Sequence, residues 1–323
     1  MNKVKTFFKL SLSSALITTI SLPAGAQTDA GSDIFVASVN YEMNNTDTDR
    51  NSIKISLSDF QQITDTASYT NQPYFINDDN EIAYTQSLEL DGTSQMDTFI
   101  YNFASKSSKN LTNSDTSEYS PTPTPDGKGL STIRVNAEGK QELWYLALDK
   151  GSAKRNLLPA IEPVGYHVWI DPSNVLLFVL GEPHTLRLAK VDQETDQGRV
   201  LDTRIGPSLW SIPETDLFSY SKELNDSLWQ LRSVDPKTKT SSALVDMPKG
   251  SYYYAWSPQG YAVTAVESKL YQWKYNSSDK TNKWTQFADL DTQCSAGISR
   301  LVFSQRGDKI ALVCNRVNLE SEE

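Results

Sequence analysis

Chemistry has few footholds in this chain. His167 and His184 are its 2 histidines, and imidazole is the side chain that exchanges protons near neutral pH. Glu182 stands two residues before His184. A Ser-His-Asp triad would need one of these imidazoles, and neither has an elbow serine beside it. No G-x-S-x-G turn, H-E-x-x-H helix or P-loop occurs. With 2 histidines and 2 cysteines, zinc fingers, zinc ribbons and His-rich metal sites are excluded. The 40 acids could supply a pair for glycoside hydrolysis, but nothing marks two at the needed separation of about 5–10 Å. No catalytic residue, metal ligand or cofactor is therefore assigned. The chemistry that remains is recognition. Tyr166, the run Tyr252-Tyr253-Tyr254, Arg204 and Arg300 are the residue types that line binding sites.

The elements that must position these residues follow a repeat. Six segments align without gaps, starting at Phe75, Pro123, Trp169, Trp210, Trp256 and Phe303, with spacings of 48, 46, 41, 46 and 47 residues. Each reads aromatic, small or polar, Pro or polar, Asp-like, Gly-like, two variable positions, then aliphatic; Pro123 departs at the first position. The physical content is a hairpin. An aromatic ends one buried strand, turn residues reverse the chain, and a run such as Val175–Leu180 starts the next strand. A second motif follows, as in Leu143-Trp144-Tyr145-Leu146, alternating at period two like a half-buried strand. A polar turn and a weaker strand close each unit. Four strands in about 46 residues is the size of a propeller blade.

The chain ends complete the count. The last unit has two strands, near Ser299–Phe303 and Lys309–Cys314, while Asp33–Val39 and Ile53–Leu57 with Gln62–Thr64 stand unpaired at the start. The expectation is an all-β, six-bladed β-propeller over residues 27–316, closed by N-terminal strands in the last blade. A β-sandwich of similar strand spacing would not produce a six-fold repeat. Residues Asn40–Arg50 read as a polar loop in the closing blade, and 317–323 as an acidic tail.

The aromatic-Ser-Pro-Asp-Gly-like turns, together with strands such as Asp33-Ile34-Phe35-Val36 and Leu143-Trp144-Tyr145, resemble the WD-like repeats of the TolB β-propeller family. Those are periplasmic propellers of the Tol–Pal envelope system. The resemblance covers about residues 32–316, the propeller part only. It implies the propeller fold and a non-catalytic protein that binds a protein partner of the cell envelope.

Composition fits an exported chain. Residues 1–26 combine Lys3, Lys5 and Lys9, an apolar stretch from Leu10 to Leu22, and Pro23-Ala24-Gly25-Ala26, the layout of a signal peptide cleaved after Ala26. A periplasmic or secreted product is expected. The apolar run is too short for a membrane span, and no later stretch is apolar enough for one. The chain carries 30 basic and 40 acidic residues, a net charge of -10. That argues against nucleic acid as partner.

Propeller geometry sorts the candidates. Loops entering the first strand and leaving the second of each blade share one face, the top. Tyr166, His167, Glu182, His184, Arg204, Tyr253 and Arg300 all map there and are the ligand- or partner-binding candidates. A packed, hydrogen-bonded strand residue is the plainer role for His167. Trp169, Trp210 and Trp256 occupy equivalent positions and read as core between blades. Ser277–Trp284 is similar to a sialidase Asp box, but it lacks the Gly, occurs once, and reads as a polar hairpin. A protein or peptide partner on the top face is the first expectation. A small ligand, glycan or peptide in the mouth is the second, and a propeller glycosidase or lyase the third. Cys294 and Cys314 are expected to form a disulfide in an oxidising compartment, because the topology sets Cys294 in the top loop entering the first strand of the last blade and Cys314 where the second strand returns to the top. Two buried free thiols are the alternative.

Overall fold

A computed structural model describes residues 31–43, 53–66, 68–90, 93–148, 154–277 and 282–317. The expected signal peptide lies outside them, as do all but the first residue of the acidic tail and the middle of the Ser277–Trp284 hairpin. The chain opens with β1 (Ser32–Met43) and β2 (Ile53–Gln62). Blade one follows as β3 (Thr70–Ile76), β4 (Glu81–Leu90), β5 (Thr93–Asn102) and β6 (Ser107–Asn110). Blade two is β7 (Glu118–Pro123), β8 (Gly129–Val135), β9 (Gln141–Ala147) and β10 (Lys154–Asn156). Blade three is β11 (Val164–Asp171), β12 (Asn174–Val179), β13 (Thr185–Lys190) and β14 (Arg199–Thr203). Blade four is β15 (Ile205–Ser211), β16 (Phe218–Asn225), β17 (Leu228–Asp235) and β18 (Thr240–Asp246). Blade five is β19 (Tyr254–Trp256), β20 (Tyr261–Val266), β21 (Lys269–Lys274) and β22 (Thr285–Asp289). Blade six is composite: β23 (Ile298–Phe303) and β24 (Lys309–Asn315) pair on to β1 and then β2.

The fold is thus an all-β propeller of six four-stranded antiparallel sheets. The second strands β12 and β24 carry unbroken apolar runs because both of their faces are covered. Along β12, Val175, Leu177 and Val179 pack toward blade two with Ile133 and Leu143. The alternate residues Leu176 and Phe178 pack toward blade four with Leu209 and Tyr220. Along β24, Ile310, Leu312 and Cys314 join the cluster shared with blade five. Ala311 and Val313 join Ile34, Val36, Phe75 and Tyr84 against blade one. Period two along a strand becomes two separate interfaces around the ring.

The repeat's turn residue has a defined task. Thr124, Ser257 and Ser304 each donate a backbone N–H to the returning strand, at Gly129, Tyr261 and Lys309, over 3.0, 2.8 and 3.0 Å. Their hydroxyls accept the returning N–H in exchange. Gly127, Gly260 and Gly307 follow with φ of +68°, +77° and +76°, which glycine adopts without a Cβ penalty.

Closure rests on β1 pairing with β24 from Ser32↔Asn315 to Ser38↔Lys309. Beyond the expected strand, β1 runs on to Met43, paired with Ile53 of β2. Of the polar loop expected over Asn40–Arg50, the part up to Met43 is therefore strand, and the rest lies outside the described residues. Side chains seal the same seam. Ser32 Oγ donates to the Thr70 carbonyl at 2.6 Å, and Arg316 bridges Asp33 and Asp65. At the bottom Asp79, 1% exposed, accepts the backbone N–H groups of Gln305 and Arg306 at 2.9 and 3.0 Å, tying blade one to blade six.

Cys294 and Cys314 form a disulfide, with Cα atoms 4.9 Å apart, in the last blade. It closes a loop with a sequence separation of 20, worth about 3 kcal/mol in the loop-entropy treatment. Urea unfolding of Cys294→Ser/Cys314→Ser should show a loss of that size, and an unchanged midpoint would contradict it. Asp79→Ala removes the buried carboxylate that accepts the Gln305 and Arg306 N–H groups and should cost about 2 kcal/mol. Asp126→Ala, in an exposed bottom turn, should cost well under half of that in the same assay.

Candidate functional site

The innermost strands are not regular at the top. Pairing shifts register between Asn71 and Tyr74, Tyr119 and Thr122, Val164 and Tyr166, Ile205 and Leu209, and Ile298 and Arg300. Bulges re-aim side chains, and here they do so at one level in five of the six blades. Proline explains three of them. Pro73, Pro121 and Pro207 cannot donate to a ladder, and they sit on the strand whose free edge faces the channel. Gln72 and Ser120, each preceding one of these prolines, adopt φ of +56° and +53°. Left-handed backbone at a side chain with a Cβ costs on the order of 1 kcal/mol or more and is retained where the surroundings impose it. Gln72 Oε1 accepts from Ser120 N at 2.7 Å and from Thr85 Oγ1 at 2.9 Å, which holds the bulges of blades one and two together.

Two layers of side chains cross the channel. In the upper layer Arg300 of blade six donates through Nη2 to the hydroxyl of Tyr166 in blade three, the opposite blade. The same nitrogen donates to Tyr253 at 2.8 Å. The guanidinium carbon lies 4.3 Å from the Tyr253 ring centroid and 4.8 Å from that of Tyr166, so both phenols also offer π faces. Tyr69, Tyr119 and Tyr252 complete a collar around this pair. Nearer the bottom, Trp210 of blade four stacks on Tyr74 of blade one, centroids 5.9 Å apart, again from opposite blades. Between them lies a cavity of about 90 Å³ lined from Arg300, Tyr166 and Tyr253 down to Trp210 and Tyr74.

Charge in this cavity is unbalanced. Arg300 is the one formally charged lining residue, and no carboxylate among the described residues pairs with it. Burial works against its cation, yet the phenols of Tyr166, Tyr253 and Tyr69 hold the guanidinium pKa above its ordinary value. Burial alone would raise the Tyr166 phenol. The Arg300 charge and hydrogen bonds from Tyr253, Gln72 and Arg300 bring it below the ordinary value instead. Tyr253, without that load of donors, is raised by burial.

His167 is first a fastening between blades. Its Nε2 lies 2.6 Å from Ser131 Oγ of β8, which also accepts Trp169 Nε1 at 2.8 Å. Blade five repeats the device: Tyr254 and Trp256 donate to Ser219 of β16 at 2.9 and 2.8 Å. Ser131 and Ser219 then donate onward to the carbonyls of Thr122 and Trp210 at 3.2 and 3.3 Å. A hydroxyl has one proton, so this equivalence assigns the Nε2–H tautomer to His167 and leaves a lone pair on Nδ1. That Nδ1 is buried without a partner, as is Ser120 Oγ, and both residues line the cavity. Burial pushes the His167 pKa down to about 3.

The structure brings Tyr166, His167, Tyr253 and Arg300 together and leaves three candidates apart. Glu182 is exposed outside the cavity. His184 packs on Phe178 at 4.9 Å and accepts Gly181 N at 3.2 Å. Arg204 pairs with Glu223 at 3.3 Å on the rim. Trp256 is buried between blades as expected, whereas Trp210 lines the cavity. Gln72, Tyr74 and Ser120 also line the cavity, outside the binding candidates marked in the sequence. Their signal was present as Gln72-Pro73 and Ser120-Pro121, prolines inside strand patterns that mark bulges. Among the described residues no group of three or more His, Cys, Asp or Glu could hold a metal, and no helix is long and apolar enough to cross a membrane.

No family model and no curated protein sequence matches the chain. Solved propellers do match in structure. TolB from Acinetobacter baumannii aligns with a TM-score of 0.53 at 11% identity, over 86% of this chain and 63% of that one. This chain therefore spans less than two thirds of that protein. A protein assigned as TolB from Agrobacterium tumefaciens gives 0.66 at 13% identity, over 89% and 99% of the two chains. An oligogalacturonate lyase solved with manganese gives 0.54 at 15% identity, over 82% and 83%. At these identities the likeness is one of fold.

Stability should report on His167. Its pKa falls from 6.5 in the unfolded chain to about 3 in the fold, so between those values the unfolded state binds the extra proton. Stability therefore drops as pH falls from 6.5 toward 3, by up to about 1.4 kcal/mol per pH unit from this group. Chemical denaturation between pH 7 and 4.5 should give a shallower decline for His167→Gln than for the unaltered protein. Parallel curves would mean that the imidazole is not buried neutral.

Proposed function

We propose that the protein is a non-catalytic, exported binding propeller. Its top mouth holds a short segment of a polypeptide partner from the cell envelope. The size of the cavity carries this reading. Sites for whole small ligands enclose about 300–1,000 Å³, and this one encloses about 90 Å³. It suits one side chain or a chain end presented by something larger. The collar of Tyr69, Tyr119, Tyr166, Tyr252 and Tyr253 supplies the amphipathic rim that protein contacts favour. The resemblance to TolB propellers agrees with an envelope partner without identifying one.

A photoreactive benzoylphenylalanine tests the reading in the native host. Placed at Tyr252 on the top, it should yield a defined polypeptide adduct. Placed at Lys128 in a bottom turn, it should not. Tyr166→Ala combined with Tyr253→Ala should reduce the top adduct several-fold. Equal adducts from both faces, or none from the top, would overturn the assignment.

A further inference from the structure

We infer that the group bound in the mouth is a carboxylate of the partner, held by Arg300. This rests on the reading of the mouth as a polypeptide contact. Arg300 uses Nη2 for Tyr166 and Tyr253. Its Nε and Nη1 donate to no described residue, and it stays partly exposed in the cavity wall. A guanidinium is a donor fork that matches a carboxylate in the plane, and it has no acceptor capacity of its own. The neighbours add donors. Tyr166 and Tyr253 each accept from Arg300 Nη2 and each keep a proton, so even if one donates to the other, one hydroxyl proton is left for a ligand. Loading the phenol oxygen in this way strengthens that proton as a donor.

The other polar residues of the wall, His167 and Ser120 among them, are neutral. No aspartate or glutamate lines the cavity. The arrangement thus presents one unmatched positive charge in a small, apolar-walled space, where pairing is stronger than in water. A cavity of about 150 Å³ takes up a benzene ring, so about 90 Å³ admits a chain terminus or an acidic side chain more readily than a sugar acid.

The test uses the full folded protein and defined probes. Arginine Nε–Hε NMR signals are followed during titration with acetyl-triglycine as free acid, its carboxamide, and acetyl-Gly-Gly-Asp-Gly-Gly-amide. Sodium D-galacturonate is titrated alongside. The Arg300 signal is assigned by its loss in Arg300→Gln. The free acid, the Asp peptide or both should shift it saturably, and which of them does so separates a chain end from a side chain. The carboxamide should leave it in place. Binding of the active peptide, followed by ligand line broadening, should weaken about tenfold or more in Arg300→Gln. Equal shifts by acid and carboxamide, unchanged affinity in Arg300→Gln, or no shift by any probe would each overturn the inference. The acid–amide comparison needs no variant, so a poorly folding Arg300→Gln does not rescue it. Saturation by galacturonate with both peptides inert would replace the polypeptide by a glycan. A top-face adduct without carboxylate dependence would sink this anchor and leave the proposed function standing. Carboxylate binding without any adduct would do the reverse.

Discussion

One backbone ladder holds the ring shut. The pairing of β1 with β24, from Ser32↔Asn315 to Ser38↔Lys309, makes blade six out of both ends of the chain. Without it β24 would present an open edge, and the face of blade one carrying Phe75 and Tyr84 would lose Ile34 and Val36. Every other interface has the same logic of two covered faces per blade, but those neighbours are consecutive in sequence. Only the seam joins residues from opposite ends. It is also where the polar reinforcements gather: Ser32 with Thr70, Arg316 with Asp33 and Asp65, Asp79 with the Gln305 and Arg306 amides. The disulfide lies in the same blade.

Closure also creates the mouth. Arg300 belongs to blade six and Tyr166 to blade three, and they meet only because the ring has a fixed diameter. Trp210 and Tyr74 meet across the axis for the same reason and give the cavity its lower end. The bulges at Gln72-Pro73, Ser120-Pro121 and Pro207 turn side chains toward that axis. They also forgo ladder bonds at the innermost edge, where proline had none to lose. The result is a polar, aromatic mouth above an apolar wall. Its sole charge is of the sign opposite to the chain's net -10.

His167 shows how a site residue can be structural first. The Nε2 side repeats what Tyr254 does two blades later, binding a serine of the preceding blade together with a tryptophan two positions on. That role fixes the ring's tautomer and keeps it neutral. The opposite nitrogen is then buried with nothing among the described residues to satisfy it. One position thereby serves the packing of the ring and the polarity of the cavity.

The sequence by itself determined the blade count, the composite last blade and the cysteine pair. Each of these is written in short-range pattern: an aromatic, a turn and an aliphatic run recurring from Phe75 to Phe303, two orphan strands at one end, two missing at the other. It also placed Tyr166, His167, Tyr253 and Arg300 on one face, because strand order alone decides top from bottom. The same rule admitted Glu182, His184 and Arg204, which the structure sets outside the cavity. Strand order carries height along the channel but not distance from its axis. That radial coordinate comes from bulges and from contacts between opposite blades. Arg300 and Tyr166 are 134 residues apart, and no local pattern joins them. Only the closed ring decided that one guanidinium, two phenols and an imidazole ring line a single small space.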